Sequence, residues 1–116
     1  KYQSQAVESL KFDAIATNYP ATKLLQRYIL KCFYLSTNRK QTDITDAAFG
    51  PGNFPWWREP RDWDDHTMDE CNWFGITCNE DGYVIEIDLT DTKLSGYIPI
   101  ELSLLSTLEI LILNDN

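Results

Sequence analysis

An acidic run holds the residue types that could carry out catalysis. Carboxylates and the one histidine lie beside two tryptophans, in the set Asp62, Asp64, Asp65, His66, Asp69 and Glu70 with Trp57 and Trp63. Paired carboxylates near aromatic rings are typical of glycoside hydrolysis. Sequence neighbours in a loop need not converge on one substrate, however, and the run lacks the glycine and ligand spacing of an EF-hand. We interpret it as a solvated acidic loop, with cation binding and catalysis as alternatives, and predict no catalytic residue.

The three cysteines could support redox or metal chemistry. Three is an odd number, so at least one thiol has no partner within the chain. Cys32 falls on an apolar helical stripe, where cysteine usually acts as a small buried hydrophobe. A zinc site at Cys71 and Cys78 would lack a second ligand pair, since His66 is the only histidine. We therefore predict no metal and no cofactor.

Charge is unevenly distributed along the 116 residues. Residues 1–40 carry seven basic and two acidic side chains, whereas residues 41–116 carry three basic and sixteen acidic ones, for a net charge of -8. This balance argues against a nucleic-acid partner. It favours a neutral or cationic ligand, or one that is attracted to the basic first region. No apolar stretch approaches the roughly 20 residues of a membrane span, and no signal segment opens the chain, so we expect any targeting peptide to be absent or removed.

Two helices must position these groups. A first helix is predicted at about 4–16 from the spacing of Val7, Leu10, Ala14 and Ile15, and the chain then breaks before Pro20. A second is predicted at about 21–35. Its apolar stripe consists of Leu24, Leu25, Tyr28, Ile29, Cys32, Phe33 and Leu35. The other face is polar and consists of Lys23, Gln26, Arg27 and Lys31.

A long loop is predicted over residues 36–70. It contains Pro51, Pro55 and Pro60 together with Trp56, Trp57 and Trp63. Long loops are usually functional or held by their own side chains. We favour the tryptophans as core of this region over the alternative that they stack on a sugar or a partner.

An internal repeat begins with an alternating strand at Val84. At an offset of 24 residues, Val84, Ile87, Leu89 and Thr92 fall on Leu108, Leu111, Leu113 and Asn116. The second copy matches L-x-x-L-x-L-x-x-N, the core of the leucine-rich repeat, whose period is 20 to 29 residues. In the first copy Thr92 replaces the asparagine, so the bridging amide is expected to be missing there.

The segment between the copies resembles the plant-type repeat signature L-x-G-x-I-P-x-x-L-x-x-L-x-x-L, through Leu94, Gly96, Ile98, Pro99, Leu102, Leu105 and Leu108. Upstream, Cys71-Asn-Trp73-Phe-Gly75-Ile-Thr-Cys78 resembles the C-x-W-x-G-x-x-C motif of the N-terminal cap in plant and algal extracellular leucine-rich-repeat proteins. The resemblance implies a Cys71–Cys78 disulfide with Trp73 buried beside it. A disulfide favours an oxidising compartment.

This resemblance implies an α/β solenoid with a helical, disulfide-closed cap. Residues 1–82 would form the cap, and residues 83–116 the first repeat and the start of the second, continuing beyond the chain. Stacked repeats bury a continuous core, and the first repeat needs a cap.

In such a solenoid, ligands bind to the concave face, formed by residues that point outward from the strands. Here these are Glu86, Asp88, Thr90, Asp91, Ile110, Ile112, Asn114 and Asp115. We expect a protein or glycan partner for a receptor-like or secreted binding protein, and no enzyme. The alternative is a structural scaffold or assembly subunit without a dedicated ligand. The expected location is extracellular or a membrane-anchored ectodomain, and the alternative is another oxidising or organellar lumen.

Overall fold

The computed structural model describes residues 2–37 and 61–116. Two α-helices, α1 (Tyr2–Lys11) and α2 (Ala21–Thr37), precede three strands, β1 (Ile76–Cys78), β2 (Val84–Asp88) and β3 (Ile110–Ile112). Short 3₁₀ helices lie between them, at Ala16–Asn18, Arg61–Asp64, Glu70–Asn72 and Ile100–Leu104. Trp56, Trp57 and the three prolines of the predicted loop lie outside the described residues.

The first helix is shorter than the predicted span of about 4–16. It ends at Lys11, and Asp13 then turns inward to meet Arg27 of α2. The apolar positions also differ from the prediction, because Ala6 and Ala16 are buried whereas Val7 and Ala14 are exposed. Helix α2 begins at Ala21 as predicted and extends two residues beyond 35.

The polar side of α2 is buried, contrary to a simple amphipathic interpretation. Gln26, Arg27 and Lys31 are buried, whereas Leu24 and Leu25 of the predicted apolar stripe are exposed. The reason is that α2 packs on two sides. One side contacts the sheet through Ile29, Leu30 and Phe33, and another contacts carboxylates from distant segments.

The three strands form one sheet in the order β1-β2-β3. β1 pairs antiparallel with β2, with Thr77 opposite Glu86 and an irregularity between Thr77 and Cys78. β2 pairs parallel with β3, with Glu86 opposite Ile110. Parallel neighbours require a crossover connection. Here the crossover includes the 3₁₀ helix Ile100–Leu104, which packs against α2.

A hydrophobic core of described residues lies between α2 and the sheet. Trp63 and Trp73 fill its centre with ring centroids 5.1 Å apart, and the Trp63 indole N–H donates to the Phe74 carbonyl at 3.0 Å. Trp63 therefore belongs to the core, as predicted. The other members are Ile29, Leu30, Phe33, Tyr34, Ile76, Val84, Ile87, Leu89, Leu102 and Leu105. This cluster spans the predicted boundary between residues 82 and 83, so the division into two domains stays a prediction.

Gly96 allows the crossover to pass close to the end of α2. Its φ is +87°, and a Cβ atom there would overlap the Ser36 carbonyl oxygen. Next to it, the Ser95 N–H donates to the Thr37 carbonyl at 2.8 Å. A residue without a side chain is needed both for the backbone angle and for this contact.

Candidate functional site

The outward side chains of adjacent strands form rows across the sheet. Thr77, Glu86 and Ile110 are paired in one row, and Asp88 is paired with Ile112 in the next. Ile87, between the two acidic residues on β2, is buried in the core. Because side chains alternate along a strand, Glu86 and Asp88 share the opposite face.

The turns after β2 and β3 extend this surface. Thr90, Asp91, Asn114 and Asp115 are all exposed, and the Asp91 N–H donates to the Asn114 carbonyl at 2.9 Å. Asp91 and Asp115 both adopt positive φ. We call the outward residues of the two strands and turns the strand face, consisting of Glu86, Asp88, Thr90, Asp91, Ile110, Ile112, Asn114 and Asp115. Whether a ligand binds these residues stays a prediction.

Asp88 also shapes its own turn. Its Oδ1 accepts hydrogen bonds from the Thr90 hydroxyl at 2.7 Å and from the Thr90 N–H at 3.2 Å. One carboxylate oxygen is therefore engaged within the turn, which fixes the direction of the side chain.

A shallow hollow of about 480 Å³ lies on this side of the sheet. It is bordered by Glu86, Asp88 and Thr90 together with Phe74, Gly75, Ile76 and Thr77. The β1 side of this hollow was not predicted from the sequence. Phe74 offered a sequence signal for this surface, because the motif leaves its position variable between Trp73 and Gly75 and gives it no evident role in the core. In the structure its side chain is 40% exposed.

Cys71 and Cys78 form a disulfide, with Cα atoms 5.6 Å apart. The predicted pairing is confirmed, and it excludes the zinc alternative because the two sulfurs are bonded to each other. Trp73 is buried as expected. A disulfide fits an oxidising compartment. Cys32 is the free cysteine of the described ranges and is buried, where burial raises the pKa of its thiol.

A buried cluster of ion pairs joins α2 to the acidic run. We call it the charge cluster, and it consists of Asp13, Lys23, Arg27, Lys31, Asp69 and Glu70. Arg27 Nε lies 2.6 Å from Asp13 Oδ2, and its Nη1 lies 3.2 Å from Glu70 Oε1. All three side chains have 0% exposure. Glu70 also binds Lys23 Nζ at 2.9 Å.

The ionised state of this cluster follows from its partners. Burial by itself would raise the pKa of Asp13, but hydrogen bonds from Arg27 and His66 outweigh burial and hold that pKa below its usual range. The pKa of Asp69 is likewise lowered, since the Cys71 N–H, Tyr19 and Lys23 outweigh the effect of burial. A buried charge is tolerated only when it is paired and hydrogen-bonded.

The prediction of a solvated acidic loop is therefore wrong for its last two residues. Glu70 is fully buried, and Asp69 accepts a hydrogen bond from the Cys71 N–H at 2.8 Å. His66 binds Asp13, and Asp65 accepts from Thr67. Asp62 is half-buried, and the side chain of Asp64 lies outside the described part. The sequence signal was ambiguous, because Lys23, Arg27 and Lys31 repeat every four residues and share one helix face, which fits contact with water as well as with buried carboxylates.

The charge cluster also pairs several of the basic side chains that the first 40 residues could present to a ligand. Three of the seven basic residues of the first region, Lys23, Arg27 and Lys31, are paired inside the molecule, and Lys11 pairs with Glu8 at 2.9 Å. Lys1, Arg39 and Lys40 lie outside the described residues. The attraction of a ligand to the basic first region stays a prediction, and in the described part of that region the cations are paired with carboxylates.

The described residues offer neither a metal site nor a membrane span. Within residues 2–37 and 61–116, no group of three or more histidine, cysteine, aspartate or glutamate side chains could hold a metal ion. Neither of the two described α-helices has the length and apolar character to cross a bilayer.

Comparison with known proteins matches less than half of the chain to plant proteins. The chain is 41% identical over 49 residues to "Leucine-rich repeat protein 1" of Arabidopsis thaliana, which covers 42% of this chain and 22% of that protein. It is similar to plant leucine-rich-repeat proteins. A "Probable leucine-rich repeat receptor-like protein kinase" of Arabidopsis thaliana is 46% identical over 52 residues, which cover 43% of this chain and 6% of the kinase.

"Leucine-rich repeat protein 1" of Oryza sativa subsp. indica is 39% identical over 49 residues, which cover 42% of this chain and 23% of that protein. No family model matches the chain. The matched stretch is thus less than a quarter of the length of each of these three relatives.

Proposed function

We propose that this chain is the N-terminal part of a leucine-rich-repeat interaction protein that binds a protein or glycan partner on the strand face. The observation that carries the proposal is the pairing of Glu86 with Ile110 and of Asp88 with Ile112 on adjacent parallel strands. This arrangement places carboxylates beside apolar side chains at strand spacing. The similarity to plant leucine-rich-repeat proteins, named for the repeat, supports an interaction role.

The chemistry of the face favours a partner with cationic or hydrogen-bond-donor groups next to apolar ones. Charge complementarity chiefly sets specificity and the rate of association. Ile110 is 46% exposed and lies beside Glu86, so it offers apolar contact where a cationic group would bind. Aromatic contact from Phe74 at the border of the hollow would add to this.

The proposed architecture is a solenoid in which further repeats extend from β3 and lengthen the same face. Repeat surfaces gain contact area with each added repeat. The proposed location is extracellular or in a membrane-anchored ectodomain, or else in another oxidising lumen. Support comes from the Cys71–Cys78 disulfide and from the match to a receptor-like kinase.

A peptide titration tests the face. The ¹⁵N-labelled chain is titrated with a short peptide of alternating lysine and leucine, and amide shifts are followed by NMR. We expect the shifts to concentrate on Glu86, Asp88, Ile110 and Ile112. The double variant Glu86→Lys, Asp88→Asn should bind at least about tenfold more weakly, a loss of about 1.4 kcal/mol. Asparagine keeps an acceptor for Thr90, so the turn is preserved.

The matched control is Glu80→Lys, Asp81→Asn at the exposed β1–β2 hairpin, which changes net charge by the same amount. If both double variants lose binding equally, the attraction is a general effect of net charge and the strand-face proposal is wrong. Amide shifts that map away from β2 and β3 would contradict the proposal as well.

A further inference from the structure

The one histidine of the sequence lies where three parts of the chain meet. His66 Nδ1 is 2.6 Å from Asp13 Oδ1. Asp13 belongs to the connection between α1 and α2, and its other oxygen, Oδ2, contacts Arg27 Nε at 2.6 Å and Lys31 Nζ at 3.5 Å. A single buried carboxylate therefore joins the end of α1, helix α2 and the acidic segment before the disulfide.

The two members of this pair differ in their access to water. The Asp13 side chain is 0% exposed, whereas the His66 side chain is 40% exposed. A proton from solvent can therefore reach the imidazole without any opening of the core. Histidine is the side chain whose charge ordinarily changes between about pH 5 and 8.

The carboxylate that His66 contacts lies among other charged side chains. Among the described side chains, His66 lies near the carboxylates of Asp13 and Asp65. The cations Arg27 and Lys31 contact the other oxygen of Asp13. A proton on His66 would place a positive charge next to the carboxylate that it already contacts.

Helix α1 is held at both ends. At its start, the Tyr2 hydroxyl donates to Glu101 at 2.7 Å and the Gln3 amide donates to Glu101 at 3.1 Å. Beyond its end, Asp13 provides the attachment to α2 and His66. Loss of charge at His66 would weaken one of these two attachments and leave the other in place.

We propose that the His66–Asp13 pair is a pH-dependent contact. It strengthens the attachment of α1 to the rest of the fold as pH falls from about 8 to 5, the range in which histidine ordinarily gains its proton. The neutral imidazole keeps a hydrogen bond through its Nδ1–H tautomer but loses the ionic attraction, so the response is graded. By linkage, a group that binds its proton better in the folded state makes folding more favourable as pH falls.

The test compares urea unfolding of the full, oxidised chain at pH 6, 7 and 8. In the wild type, the unfolding equilibrium constant should be about threefold to tenfold smaller at pH 6 than at pH 8. His66→Gln keeps a donor but cannot be charged, so it should lose most of this difference. Glu80→Gln, an exposed change in charge, should retain it. Amide exchange, corrected for intrinsic rates, should show the largest pH-dependent change in α1.

A pH difference in His66→Gln as large as that of the wild type would overturn the proposal. If this variant does not fold, an NMR titration of the wild type still decides the question. The sequence has one histidine, so its ring signals can be followed without ambiguity. Equal titration midpoints for His66 in the folded chain and in the urea-unfolded chain would show that Asp13 does not favour the charged imidazole. The proposed pH-dependent contact would then be ruled out.

Discussion

The Asn116 side-chain amide donates a hydrogen bond to the Leu89 carbonyl at 2.8 Å, across the two copies of the repeat. Its Oδ1 accepts from the Thr92 N–H at 3.1 Å and from the Leu94 N–H at 3.0 Å. Thr92 alone predicts that a bridging amide is missing from the first copy. Asn116 of the second copy provides the bridge, while the Thr92 hydroxyl donates to the Leu89 carbonyl within its own turn at 2.8 Å.

Asn116→Ala should destabilise the chain by about 1 kcal/mol, since several backbone groups lose their partner at a site open to water. Asn116→Asp should cost more, because a carboxylate retains the acceptor but cannot donate to the carbonyls around it. Urea unfolding measures both. Asn114→Ala, on an exposed neighbour, should leave the midpoint unchanged. Equal effects at the two positions would contradict the bridging role.

Gly96→Ala should destabilise by about 2–3 kcal/mol, because the new Cβ would meet the Ser36 carbonyl in addition to the cost of positive φ. Gly82→Ala is the matched control. Its φ is +86°, yet the nearest atom is the far end of the flexible Lys23 side chain at 3.4 Å. We expect about 1–2 kcal/mol there, from the backbone alone. Thermal or urea unfolding separates the two, and a Gly82 variant as unstable as the Gly96 variant would refute the close approach.

Glu70→Gln should destabilise by about 3 kcal/mol. Glu70 is fully buried and binds both Lys23 and Arg27, so its neutralisation leaves Lys23 with Asp69 and Arg27 with Asp13 as their remaining counter-charges. Glu80→Gln, at the exposed hairpin, should change stability by less than about 0.5 kcal/mol. The free energy of unfolding in urea is the measurement. A small effect at Glu70 would mean that the charge cluster rearranges or admits water.

Acid should weaken the fold through the carboxylates of the charge cluster. Asp13 and Asp69 have folded-state pKa values below the usual range, so their contribution is present above about pH 4, the usual value for aspartate. It is lost as pH falls through the lower folded-state values. The urea midpoint should therefore fall between pH 5 and pH 3, as ordinary aspartates begin to bind protons. Asp69→Asn should show a shallower fall, and Asp81→Asn should follow the wild type.

Cys32 should not react with an aromatic disulfide reagent in the native state at neutral pH. The thiol is buried and its pKa is raised by that burial, so little thiolate is present or accessible. In urea, one thiol per chain should react, because the other two cysteines are paired. Absorbance of the released chromophore counts the thiols. Rapid native labelling would show that Cys32 is accessible, and a count of three would show that the disulfide is absent.

The sequence by itself determined the features that depend on local spacing. Side-chain periodicity placed α2 from Ala21 and the strand from Val84, and the 24-residue offset placed Thr92 against Asn116. The motif around Trp73 identified the pairing of Cys71 with Cys78 by resemblance. These patterns can be read locally because repeating units impose a fixed period on the positions that face the core.

The tertiary structure alone decided which charged residues are internal. Arg27 and Glu70 are 43 positions apart, and Asp13 and His66 are 53 apart. A helix face with cations at every fourth residue is compatible with water or with buried carboxylates, and local spacing does not distinguish the two. Chain packing brought Asp13, Asp69 and Glu70 to that face, because burying a cation is tolerable only where counter-charges from other segments are held against it.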